Sequence, residues 1–250
     1  MKLIILGIFV SAFSFTFTFS MSSTLAGSAC EKKTGDIAIE SCTKFITTKT
    51  YLGKPISNHN LSVMYENRGL QYFKKEQYDQ ALSDFESALR ANPKNVKASN
   101  NLGSVYLRIK KYDLAIASLN QALKLAPDYA LALSNRGVAY RNKGQLDKAL
   151  EDFNAALISD PRSDYDYLQR AEIHKRMKNY RKAIADYNTS LELRPNVSTT
   201  YYNRGISHYL LGQHQDAYND FSKALELDPT SKDAANNKKA ILKIIEKSKK

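Results

Sequence analysis

Arginines and aspartates recur 16 residues apart along this sequence, a spacing at which the side chains of two neighbouring helices could form ion pairs. The pairs are Arg68 with Asp84, Arg136 with Asp152, Arg170 with Asp186, and Arg204 with Asp220. At one equivalent place both residues are replaced, by Leu102 and Ser118. Because the two types occur together and are lost together, we predict that each arginine bridges the two helices of a hairpin. The alternative is shared descent of the repeated segments without contact.

The two cysteines of the sequence, Cys30 and Cys42, could form a disulfide. Residues 35–46 (GDIAIESCTKFI) align with residues 112–123 (YDLAIASLNQAL), and Cys30 falls where a preceding helix would end. We therefore predict a disulfide that joins the halves of a truncated helical hairpin and contributes about 3 kcal/mol in the chain-entropy model. Two unlinked buried thiols are the alternative.

The sequence lacks the motifs of a catalytic, metal or cofactor site. It contains no glycine-rich phosphate loop, metal-ligand spacing or nucleophile elbow. His174 and His208 lie 34 residues apart, at places that hold tyrosines in the other copies of the repeat described below. This placement indicates core packing rather than metal binding. We expect no enzyme activity, no metal and no cofactor.

A period of 34 residues defines the elements that position these side chains. Prolines mark the period at Pro93, Pro127, Pro161, Pro195 and Pro229, and alanines at Ala81, Ala115, Ala149, Ala183 and Ala217. The units cover residues 62–95, 96–129, 130–163, 164–197 and 198–229. Such a period is typical of small helical units stacked on copies of themselves. We predict two helices of about 13 residues in each unit, joined by a short turn.

A column of small residues lies in the middle of each first helix, at Gly69, Gly103, Gly137, Ala171 and Gly205. Glycine in a helix interior costs about 1 kcal/mol relative to alanine. The repeated glycine therefore indicates that the two helices of a unit approach each other closely there. We predict that Gly137→Leu overpacks this contact.

The two ends of the chain differ from the repeats. Residues 1–29 have the pattern of an export signal, with Lys2, an apolar run and small residues before Cys30. An uncleaved membrane anchor and a lipid on Cys30 are the alternatives. Residues 30–61 are predicted to form a half repeat with the two cysteines and a linker. Residues 230–250 are predicted to form a basic helix and tail that cap the stack.

The repeated columns resemble the tetratricopeptide repeat (TPR) family. The first unit carries the family pattern at Tyr65, Gly69, Tyr72, Ala81, Phe85, Ala88 and Pro93. The resemblance extends over residues 62–229, which are 168 of the 250 residues. It implies an all-α, right-handed superhelical solenoid of five helix-turn-helix units, flanked by the half repeat and the capping helix. His174 and His208 depart from the pattern, which has tyrosine there.

In the TPR family the first helices of successive units line a concave groove, which implies a surface for a protein or peptide partner. The residues placed there are Asn67, Asn101, Asn135, Gln169, Asn203, Lys74, Arg108, Arg141, Arg176 and Tyr202. Side-chain amides can hydrogen-bond the backbone of an extended peptide, and the cations favour an acidic one. The alternative is that the amides support local structure. The clamp that binds C-terminal carboxylates in some relatives is not matched, since Glu66 stands at the place of a clamp lysine.

Nearly half of the formal net charge of +12 lies at residues 238–250, which hold six lysines and one glutamate. The body is only mildly basic, which argues against a nucleic-acid partner. The basic end is either a solvated cap or a contact for an anionic membrane or envelope polymer. These features predict an exported, periplasmic scaffold or assembly adaptor of a bacterial envelope, with a membrane-anchored or extracellular surface module as the alternative.

Overall fold

The chain folds into a row of antiparallel helix pairs. The computed structural model describes Cys30 and residues 34–248, and the predicted signal segment 1–29 lies outside them. Residues 34–248 form twelve helices and two short strands: α1 Gly35–Thr48, β1 Thr50–Tyr51, β2 Lys54–Pro55, α2 Asn58–Lys74, α3 Tyr78–Ala91, α4 Val96–Arg108, α5 Tyr112–Leu125, α6 Ala130–Asn142, α7 Leu146–Ser159, α8 Asp164–Arg176, α9 Tyr180–Leu193, α10 Ser198–Leu210, α11 His214–Leu227 and α12 Lys232–Lys247.

Five hairpins form the body of the molecule. Within each hairpin a first helix (α2, α4, α6, α8 or α10) packs along the second helix that follows it. Each second helix also packs against the first helix of the next hairpin, and α11 packs against α12. The buried side chains therefore form clusters that follow one another along the stack. The predicted all-α repeat solenoid is confirmed.

The turn inside every hairpin has one residue in the left-handed backbone region. These residues are Glu76, Lys110, Gly144, Lys178 and Gly212, with φ between 59° and 76°. In the second unit, the amide of Lys111 just after this residue donates to the carbonyl of Tyr106 at 2.8 Å. This bond is the one that closes a Schellman motif, and it ends the first helix. The left-handed residue thus reverses the chain at the same place in all five hairpins.

The glycine column lies where the two helices of a hairpin are closest. A Cβ atom on Gly103 would lie 2.6 Å from Cγ of Leu119, and one on Gly137 would lie 3.0 Å from Cε2 of Phe153. Leu119 and Phe153 are completely buried. Because these glycines have no side chain, the large residue of the opposite helix can pack against their backbone in the core.

The first hairpin begins earlier than its equivalents. Helix α2 starts at Asn58 rather than at Ser62, because the hydroxyl of Ser57 caps it by accepting a hydrogen bond from the Asn60 amide at 3.3 Å. In the second unit the side chain of Asn95 has the same role and accepts from the Ala98 amide at 2.9 Å. A serine or asparagine N-cap satisfies one of the free amides at a helix start.

The N-terminal segment is held by a disulfide between Cys30 and Cys42, with the two Cα atoms 5.2 Å apart. Both cysteines pack in a cluster with Ile46 and Met64. Between α1 and α2, strands β1 and β2 pair in antiparallel fashion around Leu52 and Gly53, which both have positive φ. Positive φ at both turn residues is the geometry of a tight two-residue hairpin. The segment predicted as a linker therefore contains a small hairpin.

Helix α1 occupies the position of a second helix. Asp36 forms an ion pair with Lys75 of the first hairpin, and Asp113 of the second hairpin forms the equivalent pair with Lys143 of the third. Asp36 aligns with Asp113 in the sequence comparison that defined the half repeat. The half repeat thus makes the same inter-unit contact as a complete one.

Helix α12 closes the other end of the stack. Ile241 is buried and packs with Ile245 against Ala217 and Phe221 of the last hairpin, whereas Ile244 remains exposed. Of the helices formed by the described residues, none combines the length and the hydropathy needed to span a membrane.

Candidate functional site

The first helices form the inner surface of a curved stack. Consecutive first helices contact one another directly, whereas consecutive second helices make at most weak contact in the described part of the chain. Because the stack is tighter on the side of the first helices, it curves toward them. We call the surface formed by α2, α4, α6, α8 and α10 the concave surface.

Each predicted arginine–aspartate pair lies within hydrogen-bond distance. In all four, Nε and Nη2 of the arginine donate to the two carboxylate oxygens, at 2.6–2.9 Å. The hydrogen bond to Asp152 raises the pKa of the Arg136 guanidinium. Burial raises the pKa of the Asp84 carboxyl, and the hydrogen bond from Arg68 opposes that shift. These pairs join the helices of a hairpin, so they belong to the scaffold.

The same guanidinium groups also bind the preceding unit, a contact that the sequence comparison missed. Nη1 of Arg136 donates to Oδ1 of Asn120 at 2.7 Å, and Nη1 of Arg68 donates to the hydroxyl of Thr43 at 2.9 Å. The equivalent bonds join Arg170 to Asn154 and Arg204 to Asn188. The recurring asparagine was the available signal, since it is replaced by Glu86 just before the unit that has Leu102 instead of arginine.

The amide column Asn67, Asn101, Asn135, Gln169 and Asn203 lies on the concave surface, and several of its members bind neighbouring first helices. Nδ2 of Asn135 donates to Oδ1 of Asn100 at 2.9 Å, and Gln169 accepts a hydrogen bond from Arg141. Asn203 accepts from Nζ of Lys175 at 3.0 Å. These three amides therefore support the packing of adjacent units, which is the alternative role considered for the column.

Asn67 differs from those three. Its Nδ2 atom is buried and has no hydrogen-bond partner among the described residues. A buried donor without a partner is costly, so a group that accepts its hydrogen bond stabilises the site. The N-terminal part of the amide column therefore retains a donor that packing between units does not use.

The concave cations fall into two groups. Lys74 and Arg108 are exposed and have no ion-pair partner among the residues that the structure describes. Arg176 is exposed, and its Nε lies 3.5 Å from Oε1 of Glu172. Arg141 is half-buried, and burial lowers the pKa of its guanidinium. The surface thus combines free charges near its N-terminal end with partly neutralised ones further along.

Tyr202 has contacts that the sequence did not indicate. Its ring packs on Phe221, with the ring centroids 5.8 Å apart, and its hydroxyl accepts from Nδ2 of Asn237 at 3.2 Å. Asn237 belongs to α12, so the capping helix covers this side of the tyrosine. Tyr202 therefore joins the last hairpin to the cap and is only partly buried, so its place in the partner surface stays a prediction.

A cavity of about 380 Å³ opens on the concave surface near its N-terminal end. Its walls include Asn67, Lys74, Lys97 and Asn101, with Glu66 as the one carboxylate among the lining residues. Amide and ammonium groups are hydrogen-bond donors, so the cavity suits an anionic or carbonyl-bearing ligand. No cluster of histidine, cysteine, aspartate or glutamate able to hold a metal ion occurs among the described residues.

Comparison with known proteins agrees with this architecture. Sequence profiles described as tetratricopeptide repeat match residues 67–130 and 106–164, 167–197 and 198–231. A search of curated proteins found no match. Solved structures with the same fold include MamA, with 24% identity over 67% of this chain and 92% of that one and a TM-score of 0.60.

Two further solved structures have the fold over most of this chain. YrrB, described as a TPR protein with an unusual peptide-binding site, is 18% identical over 80% of this chain and 99% of that one, with a TM-score of 0.64. TTC0263, a TPR protein of Thermus thermophilus, is 24% identical over 72% of this chain and 98% of that one, with a TM-score of 0.55. The profile matches cover more than half of the sequence, and the chain is therefore a member of the tetratricopeptide repeat family.

Proposed function

We propose that this protein is a non-enzymatic scaffold or assembly adaptor that binds a segment of a partner protein on its concave surface. The observation that carries the proposal is the cavity of about 380 Å³ beside Nδ2 of Asn67, which has no hydrogen-bond partner among the described residues. Lys74 and Lys97 line the same cavity. The hydrogen-bond donors and positive charges that line this cavity complement the carbonyl and carboxylate groups of an acidic peptide.

The chemistry of the surface also favours a peptide over a small substrate. An extended peptide presents a backbone carbonyl at every residue, and side-chain amides such as Asn67 and Asn101 can donate to it without reading its sequence. YrrB, which has the same fold, is described as having a peptide-binding site. TPR proteins are in general interaction modules rather than catalysts, and the absence of catalytic motifs in this sequence agrees with that class.

We place the scaffold in a bacterial envelope, most simply as a free periplasmic protein. The signal pattern of residues 1–29 supports export, and a disulfide between Cys30 and Cys42 supports an oxidising compartment. A sulfur that is bonded to Cys42 is not free to carry a lipid, so the disulfide favours the unlipidated form over a lipoprotein.

The second candidate is an envelope-surface module held at the membrane by an uncleaved signal or by the basic C-terminus. The exposed lysines of α12, such as Lys243 and Lys247, favour contact with an anionic lipid or envelope polymer. Cell fractionation with N-terminal sequencing separates the two candidates. A soluble chain that starts near Cys30 supports the free scaffold, and a membrane-bound chain that starts at Met1 supports the anchored module.

The binding proposal is tested by crosslinked pull-down from the envelope fraction. The variant Lys74→Glu with Lys97→Glu reverses the charge of the cavity, and we expect it to lose the partners that the wild type recovers. The matched control is Lys124→Glu with Lys182→Glu, which reverses two exposed charges on second helices. Equal recovery by both variants would contradict binding on the concave surface. A second loss-of-binding variant is Asn101→Ala with Asn135→Ala, and circular dichroism monitors its fold because Asn135 also joins neighbouring units.

A further inference from the structure

A second cavity lies at the opposite end of the concave surface and is apolar. It has a volume of about 320 Å³ and lies between α10 and the capping helix α12. Ile206, Tyr209 and Leu210 contribute its wall from α10, and Ile244 contributes from α12. Tyr209 and Leu210 are 45% and 47% exposed, so their apolar surface is accessible. Exposed apolar surface of this kind is stabilised when a partner removes it from water.

The apolar cavity continues the columns that carry cations in the earlier units. Leu210 stands one repeat after Arg176 and at the place that Lys74 and Arg108 hold in the first two units. Tyr209 stands one repeat after Lys175 and two after Arg141. Both columns are cationic in the fourth unit and apolar in the last hairpin, although earlier units also place Phe73, Leu107 and Asn142 in them. A ligand that follows the concave surface meets positive charge first and an apolar cavity one unit later.

The cationic part next to the cavity has more positive than negative charge. Among the described residues, Glu172 is the one carboxylate that forms ion pairs with these cations. Its Oε2 lies 2.7 Å from Nζ of Lys175, and its Oε1 lies 3.5 Å from Nε of Arg176. Arg141, in the preceding unit, has an Nε atom that is buried and finds no hydrogen-bond partner among the described residues. On the other side of the cavity, Lys247 follows Ile244 by one turn on the same face of α12.

We propose that the concave surface takes an extended peptide that places an acidic side chain on Arg141, Lys175 and Arg176 and a large apolar side chain in the cavity lined by Tyr209, Leu210 and Ile244. This inference rests on the proposed function and specifies its ligand. Adjacent packed helices lie about 8–10 Å apart, and an extended chain advances about 3.3 Å per residue. The acidic side chain lies between α6 and α8 and the cavity lies between α10 and α12, two helix spacings away. The acidic and the apolar residue of the ligand are therefore separated by about five or six positions.

The two contacts divide the recognition between them. The acidic residue gains charge-assisted hydrogen bonds from a surface with surplus cations, and this part of the affinity weakens as the salt concentration rises. The apolar residue removes the exposed faces of Tyr209 and Leu210 from water, and this part persists at high salt. A peptide that lacks either residue is expected to bind at least about tenfold more weakly.

Selection from a random peptide library displayed on phage tests the proposal without a known partner protein. The full chain without its signal segment is immobilised, and the library peptides are long enough to span two units. We expect enriched peptides that carry Asp or Glu about five or six positions from Leu, Ile, Met or Phe. Synthetic versions with the acidic or the apolar residue replaced by serine are then compared with the parent peptide by fluorescence anisotropy.

Protein variants locate the two contacts. With Leu210→Lys, we expect the parent peptide and the peptide that lacks the apolar residue to bind with equal affinity. With Arg141→Gln and Arg176→Gln together, we expect the same equality for the peptide that lacks the acidic residue. The matched control is Ile158→Lys, which puts a lysine in place of an isoleucine that is 82% exposed on the second helix α7. The serine-substituted peptides measure the contribution of each ligand residue to the affinity for the wild-type protein, so the result does not depend on how well a variant folds.

The outcomes separate this inference from the proposed function. Enriched peptides that are acidic but gain nothing from an apolar residue would overturn the two-part ligand and leave peptide binding on the concave surface intact. Enrichment that is equal on the wild type and on the variant Lys74→Glu, Lys97→Glu, Arg141→Gln, Arg176→Gln would overturn peptide binding on the concave surface itself. Paired acidic and apolar residues, with binding lost in Leu210→Lys but not in Ile158→Lys, would support both.

Discussion

Arg136 holds Asp152 through two hydrogen bonds, from Nε to Oδ2 at 2.9 Å and from Nη2 to Oδ1 at 2.6 Å. The third nitrogen of the guanidinium binds Asn120 of the preceding unit. One side chain therefore closes its own hairpin and joins it to its neighbour. The side chains of Arg136 and Asp152 are 23% and 6% exposed, so the pair is largely shielded from water.

Removal of one member of this pair should cost more than removal of both. We expect Arg136→Leu to lower the free energy of unfolding by about 3 kcal/mol, because it leaves the Asp152 carboxylate buried without its partner. The double variant Arg136→Leu with Asp152→Ser reproduces Leu102 and Ser118 of the second unit and should recover part of that loss. Urea denaturation of the wild type, both single variants and the double variant completes the thermodynamic cycle.

An exposed ion pair is the control for that cycle. Arg90 and Glu86 lie one helical turn apart with their charged atoms 3.9 Å apart, and both are exposed. Arg90→Leu is expected to change stability by less than about 1 kcal/mol. A cycle on Arg136 and Asp152 with no coupling energy would show that the pair is not a structural link.

The glycine column predicts a large cost for added volume. Gly137→Leu places a side chain against Phe153, whose ring is already 3.0 Å from the position of a Cβ atom. We expect a loss of about 1–3 kcal/mol or more by overpacking, measured as a lower urea midpoint. Ala185→Leu on the exposed face of α9 is the control and should change stability by about 0.5 kcal/mol or less. Equal midpoints for the two variants would contradict close approach at Gly137.

Left-handed turns occupied by residues other than glycine predict a stabilising substitution. Lys110 has a φ of 60°, in a region where a side chain is strained and glycine is not. We therefore expect Lys110→Gly to raise the free energy of unfolding by about 0.5–1 kcal/mol. The neighbouring change Lys111→Gly is the control, because φ of Lys111 is −87° and glycine gains nothing there. A melting temperature that rises equally for both variants would refute this explanation.

His174 predicts a pH dependence of stability. Burial lowers the pKa of its ring, and Nδ1 is buried without a hydrogen-bond partner among the described residues. The unfolded chain therefore binds a proton more readily than the folded one. The contribution of the neutral ring to stability is full above the ordinary histidine pKa of about 6.5 and is lost as the pH falls below that value toward the folded pKa.

The variant His174→Tyr removes this titration and restores the tyrosine found in the first three units. Its melting temperature should exceed that of the wild type by more at mildly acidic pH than at mildly alkaline pH. Asn58→Tyr, at an exposed position at the start of α2, is the control, and its difference from the wild type should stay constant because neither side chain titrates in this pH range. A constant difference for His174→Tyr as well would argue against a buried neutral ring.

The hairpins could be predicted because every element that forms them is repeated. Because the unit occurs five times, the joint replacement of Arg136 and Asp152 by Leu102 and Ser118 in one copy indicates from sequence that the two residues pair. Features that occur once have no such comparison. The tight turn at Leu52 and Gly53 and the early start of α2 at Asn58 therefore appear only in the structure.

The concave surface was less predictable than the hairpins. The same amide can bind a ligand or a neighbouring side chain, and the choice depends on the distance between adjacent units, which the sequence does not encode locally. Asn135 binds Asn100 of the unit before it, whereas Nδ2 of Asn67 has no partner among the described residues. The column of Tyr202 does not show that Asn237 of the capping helix bonds to its hydroxyl, because only the last unit adjoins that helix.

Site-specific photocrosslinking in cells tests the central claim, partner binding on the concave surface, most directly. A photoreactive amino acid replaces Lys97 on the first helix α4 or Lys124 on the second helix α5, both of which are exposed. The account predicts a covalent adduct with a partner protein from position 97 and none above background from position 124. Adducts of equal yield from both positions, or from position 124 alone, would contradict it.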